Sequence, residues 1–128
     1  MKKRLYTSVL AAILILSLFT SVAYAETVTN SNVEIVQRMV EETNASIAQD
    51  VAIAQDVADR IIAIFGDNFI TRYIVARIID SLEAKTNAKA HATMQAAAEL
   101  GIEVRCEIEV FIVGGQKAYI DPLYVISD

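Results

Sequence analysis

Apolar and small side chains recur at Val36, Val40, Thr43, Ile47, Val51, Ala54, Ala58, Ile62 and Phe65, in steps of three and four. That spacing keeps one face of a helix apolar. Much of it is an eleven-residue repeat: Val36/Ile47/Ala58, Val40/Val51/Ile62 and Thr43/Ala54/Phe65. Eleven residues fill three turns almost evenly, so the seam runs nearly straight along the helix. Ser31-Asn32-Val33-Glu34 has the form of a capping box and predicts the start. Gly66 predicts the end. A second helix follows at once, with Asp67 as the expected cap and Gly101 as the expected stop. Its seam is Val75, Ile79, Leu82, Thr86, Ala90, Thr93 and Ala97. Phe69, Ile70, Tyr73, Ile74 and Ile78 widen the apolar face of its first half. The stretch from Ala88 to Leu100 is rich in alanine, which favours helix and allows close approach. A join as short as Gly66-Asp67 makes the two helices antiparallel neighbours.

From Ile102 the period falls to two. Ile102, Val104, Cys106, Ile108, Val110 and Ile112 alternate with Glu103, Arg105, Glu107, Glu109, Phe111 and Val113. This predicts a half-buried strand with the first set inward. Gly114-Gly115 is a turn signal, and Ala118 to Ile126 reads as the return strand. Pro122 cannot donate to a ladder, so that strand is expected at an edge, or with a bulge near Asp121-Pro122. The order helix, helix, strand, strand predicts an α+β fold (ααββ), a long antiparallel helical hairpin followed by a C-terminal β-hairpin packed on it.

Two echoes stand out. Ile47-Ala48-Gln49-Asp50-Val51-Ala52 recurs as Ile53-Ala54-Gln55-Asp56-Val57-Ala58. Six residues turn a helix by about 600°, so the copies face different directions and form no common site. Thr43-Asn44-Ala45 recurs as Thr86-Asn87-Ala88. Asn44 and Asn87 are almost equidistant from the turn at Gly66, which makes them a candidate polar pair between the helices. The alternative is a helix break at each.

The first residues change the picture of where the protein works. Lys2, Lys3 and Arg4 precede an apolar run from Leu5 to Phe19, and Ala23-Tyr24-Ala25 has the small-x-small form cut by signal peptidase. Residues 1–25 therefore read as a secretory signal peptide, similar to the bacterial type, with cleavage after Ala25. Residues 26–30 read as a polar leader, and 31–128 as one small α+β domain. The run is shorter than the roughly 20 residues that span a bilayer, so the mature form is not expected to span one. Cleavage leaves 103 residues with eight basic side chains against sixteen acidic ones, a formal charge of −8. Such a surface repels phosphate backbones and makes nucleic acid a poor partner.

Chemistry is sparse. His91 is the only histidine, and its helical neighbours Asn87, Ala88, Met94 and Gln95 include no acid to orient it. Cys106 is the only cysteine; the strand pattern puts it on the apolar side as a small packed residue, with an intermolecular disulfide as the rival role. Glu103, Glu107 and Glu109 share a predicted face with Arg105 and form a candidate acidic face. Phe111, Val113 and Tyr119 suggest an apolar tip on the β-hairpin, a candidate contact patch. No phosphate loop, nucleophile elbow, zinc motif or calcium loop occurs, and no cofactor is implied.

These features predict an exported, non-enzymatic interaction or structural protein of the envelope or extracellular space. Its expected partner is a second copy or another envelope protein, met through the helix seam or the β-hairpin edge. One alternative is a small carrier holding an apolar guest beside Ala88 to Ala98. Another is a weak hydrolase or thiol enzyme using Cys106 or the acidic face.

Overall fold

The structure, a computed structural model, describes residues 25–126. The expected signal peptide therefore lies outside the described residues, apart from Ala25. Helix α1 spans Ala25–Phe65 and helix α2 spans Phe69–Glu99. Four short strands follow: β1 (Val104–Cys106), β2 (Glu109–Val113), β3 (Gln116–Ile120) and β4 (Leu123–Val125). The architecture is α+β, two long antiparallel helices followed by a small antiparallel β-hairpin-like sheet.

Helix α1 begins ahead of Ser31 and takes in the residues expected as a polar leader. No glycine or proline lies between Ala25 and Ser31 to stop it, so the capping-box sequence sits inside the helix. Gly66 ends α1 at φ 82° as expected. The cap of α2 is Asn68, one residue later than Asp67. Its backbone is extended, its Oδ1 accepts from the amides of Ile70 and Thr71, and Thr71 Oγ1 accepts from the Asn68 amide. Asp67 instead pairs with Arg72 at 3.0 Å. At the other end Gly101 (φ 76°) donates to the Ala98 carbonyl and Ile102 to that of Ala97, a Schellman close. Both helices run unbroken through Asn44 and Asn87.

The seam is nearly as the periodicity predicts. All seven seam positions of α2 are buried, as are Val36, Val40, Ile47, Val51, Ala54 and Ala58 of α1. Thr43 and Ile62 are partly buried, and Phe65 stands in the open. The hexapeptide copies do face differently: Ile47 and Val51 are buried, whereas Ile53 and Val57 are exposed.

The hairpin departs from simple alternation. Its register is constant, with Val104 opposite Val125, Cys106 opposite Leu123, Glu109 opposite Ile120 and Val113 opposite Gln116. No residue is bulged out at Asp121-Pro122. The ladder is only interrupted there, because Glu107 donates to the Pro122 carbonyl and Pro122 has no N–H to return. Yet the inward set changes parity across this gap. Val104 and Leu123 are buried on one side of it; Val113, Ala118 and Ile120 are buried on the other. The strands also exchange helices: β1 packs on α2 and β4 on α1, whereas β2 packs on α1 and β3 on α2. The two-stranded ribbon has turned over. Two-stranded ribbons twist more than wider sheets, and the missing donor leaves this one loosest at Pro122.

Candidate functional site

The turnover redistributes every residue singled out on the strands. Ile108, Val110 and Ile112 were expected inward with Val104; they face outward and are 49–65% exposed. Tyr119, opposite Val110, is exposed beside them. Phe111 and Val113, expected with Tyr119 at an apolar tip, point to the helices instead, Val113 wholly buried and Phe111 packed against the core. Cys106, expected on the buried side, is exposed with a free thiol. It is the last residue of β1, at the edge of the interruption, and is exposed although its cross-strand partner Leu123 is buried. Glu103, Glu107 and Glu109 are all exposed, but they do not form one continuous face. Glu103 is held by Arg105 at 3.0 Å before the gap, and Glu109 follows the parity of Phe111 and Val113 after it.

Asn44 and Asn87 do not meet. Asn44 Nδ2 donates to the Leu123 carbonyl and its Oδ1 accepts from the Leu123 amide, both at 2.8 Å. A side-chain amide thus takes the place of a neighbouring strand along β4. Asn87 is exposed on α2. The helices are registered by other groups. The hydroxyls of Thr43 and Thr93 share a hydrogen bond at 2.6 Å. Nearly buried Asp50 contacts Lys89 and lies 3.3 Å from Lys85 Nζ, and Lys89 also donates to Ser46 Oγ at 2.7 Å. The spacing sets Asp50, between the seam residues Ile47 and Val51, on a different side of α1 from Asp56, and that helical angle was the available signal.

Other side chains hold the remaining edges of the ribbon. Gln55 Nε2 donates to the Ile112 carbonyl at 3.0 Å, and the Tyr119 amide donates to Glu83 Oε2 at 2.8 Å. The β3–β4 edge is thus bonded to the helices at Tyr119 and Leu123, and the β1–β2 edge at Ile112. In the stretch from Ala88 to Ala98, Ala90 and Ala97 are buried in the helix seam, while Ala88, Ala92 and Ala98 are exposed.

Besides Ile53, Val57 and Tyr124, the exposed large apolar side chains gather in two places. One is the outer face of β2 and β3. The other is the end of the helical hairpin. Gly114 enters the seam beside Ala58 and Val75, so the β-turn docks there. The last seven residues of α1 extend about 10 Å past that point, at 1.5 Å per residue. Ile61-Ile62-Ala63-Ile64-Phe65 is apolar on every side of the helix. Ile64, Phe65, Phe69, Ile70 and Tyr73 are 57–80% exposed. A helix apolar all round is ordinarily covered. Between these residues lies a polar turn, where the Asp67 hydrogen bond raises the already high pKa of Arg72.

Clustered chemistry is not found among the described residues. No group of three His, Cys, Asp or Glu side chains there is arranged to hold a metal ion, and no buried side-chain nitrogen or oxygen lacks a partner. His91 is exposed on α2. No described helix is long and apolar enough to cross a membrane. Compared with known proteins, the chain matches no family model, no curated protein and no solved structure.

Proposed function

We propose that this chain is an exported, non-enzymatic interaction module that self-associates in the envelope or extracellular space. The observation that carries the reading is the tip of the helical hairpin, where five large apolar side chains are more than half exposed. Contiguous apolar surface of this kind marks a contact site. Large apolar residues on a projecting tip gain by meeting a second surface, at roughly 25 cal/mol per Å² removed from water. The leader-like sequence supplies the compartment.

The test is to express the full chain with its own leader and purify the processed product. Light scattering after size exclusion, with reductant present, then gives its mass across concentrations. The expected result is a species larger than one chain that persists in reductant. Phe65→Ser with Phe69→Ser is expected to lower self-association or abolish capture of an envelope partner, with helical content unchanged. A product that stays monomeric at its solubility limit counts against self-association.

A further inference from the structure

We infer that the tip of the helical hairpin seats in the headgroup layer of a phospholipid bilayer, from one side and without crossing it. This rests on the reading of the tip as the contact site of an envelope protein, and names what that site contacts. Ile64, Phe65, Phe69, Ile70 and Tyr73 are 57–80% exposed, and Ile74 is exposed beside them. They stand on both helices and on both sides of the turn at 66–68. Ile61 to Phe65 fill five successive positions about 100° apart, which leaves no polar side on the end of α1. A helix without a polar side is covered by protein or by lipid. A second folded surface meets such an end from one direction, whereas a bilayer surrounds it.

Length and charge both favour lipid. The apolar end of α1 runs about 7.5 Å from Phe65 back to Arg60, at 1.5 Å per residue. Apolar groups held at a bilayer surface enter it by about 5–10 Å. The first charged side chain behind the apolar end is an arginine on each helix, Arg60 on α1 and Arg72 on α2. That runs against the composition of a mature chain with twice as many acidic as basic side chains. Both arginines are mostly exposed, and each is bonded to one acid, Asp56 and Asp67 respectively. A guanidinium has five donors, so each can serve its acid and a lipid phosphate together. Tyr73, beside Arg72, has the amphipathic ring favoured at the same level. Asp67 is the one acid between the two arginines, and Arg72 holds it at 3.0 Å, so the turn enters as a neutral pair. The acidic remainder of the chain is repelled by anionic headgroups, which confines the contact to the tip.

The chain has no tryptophan. Phe69→Trp therefore sets a single reporter in the tip, and Tyr124→Trp sets one at an exposed position of β4. The processed full chain, in reductant, is mixed with vesicles of phosphatidylcholine containing a minor fraction of phosphatidylglycerol. The protein is expected to float with the vesicles, with emission shifted to the blue for the tip reporter and unmoved for the β4 reporter. Phe65→Ser with Phe69→Ser is expected to lower the partition coefficient at least about tenfold. Arg60→Gln with Arg72→Gln is expected to lower it several-fold. Circular dichroism checks that each variant keeps its fold. A folded parent that does not float, binding indifferent to both pairs of substitutions, or an equal shift of the two reporters overturns the proposal. Solution mass without lipid separates it from self-association. An oligomer dissolved by the serine pair and indifferent to vesicles overturns the bilayer contact and leaves self-association standing. A monomer that floats, with the shift at the tip alone, supports the bilayer contact and removes self-association.

Discussion

Gly114 and Gly115 are chemically identical, yet their surroundings separate them. Both sit at positive φ, as a two-residue hairpin turn demands. A Cβ on Gly114 would lie 2.9 Å from one Val75 methyl and 3.1 Å from Ala58 Cβ, while Gly115 faces open space. Gly115→Ala is therefore expected to cost about 1 kcal/mol, for the left-handed backbone alone. Gly114→Ala adds crowding against two fully buried residues and should cost about 2–4 kcal/mol by urea unfolding. Asn44 and Asn87 diverge in the same way. Asn44→Ala leaves the Leu123 amide and carbonyl without their partner and should cost about 1–3 kcal/mol. It should also speed hydrogen exchange at the Leu123 amide. Asn87→Ala, at an exposed helical site, should stay within about 0.5 kcal/mol of the parent. Equal losses for the two asparagines would contradict these placements. The glycine pair was legible as a turn, and Asn44 as a candidate polar contact beside the apolar seam. Their partners were not, because both partners are brought from a distant part of the chain.

At the scale of elements, the helices were legible and the ribbon was not. Each helix buries a single stripe over its whole length, so the 3, 4 spacing carries the answer locally. The caps shift by one residue or a few because several polar residues compete at each end; at α2 Asn68 reaches two amides while Asp67 finds Arg72. The ribbon misleads because alternation reports parity along a strand and assumes the strand keeps one face to its neighbour. Here the face changes at Pro122, so Ile108, Val110 and Ile112 keep their parity with Val104 and lose its environment. The helix pair also carries a polar register device in Asp50 with Lys89, Lys85 and Ser46. Lys85 is more than half exposed and contributes little, whereas Lys89 is about one-third exposed and Asp50 nearly buried. Asp50→Ala is expected to cost about 1–3 kcal/mol. A double-mutant cycle between Asp50 and Lys89 should give coupling of about 1 kcal/mol. Asp56→Ala, in the second copy of the hexapeptide, should be near neutral, since its Arg60 pair is solvent-exposed. Absence of coupling at Asp50 would assign the helix register to the apolar seam alone.

For the molecule as a whole, one face of the helix pair is covered by the ribbon, and the tip and the outer face of β2 and β3 are exposed. The ribbon's edges, by contrast, are held by Asn44, Gln55 and Glu83, which limits indiscriminate strand addition. Export makes a separate prediction. Intact mass of the product released from a bacterial host carrying the full chain should correspond to a chain beginning at Glu26. A product retaining Lys2 and Lys3 would place the protein in a different compartment and remove the basis for the envelope reading.

By itself the sequence determined the two helices, their antiparallel pairing, the turn at Gly114-Gly115 and the identity of nearly every seam residue. These depend on spacing along the chain, on glycines at positive φ and on a short join, all of which act within a few residues. Only the tertiary structure decided which side of the β-ribbon meets the helices, where Asn44, Asp50, Gln55 and Glu83 find their partners, and that Cys106 is exposed. Each of these depends on groups 36 or more residues apart being set in register by packing, and on one missing N–H at Pro122 that lets the ribbon turn. Local periodicity carries no record of such a rotation, because turning a strand over changes its neighbours without changing its sequence.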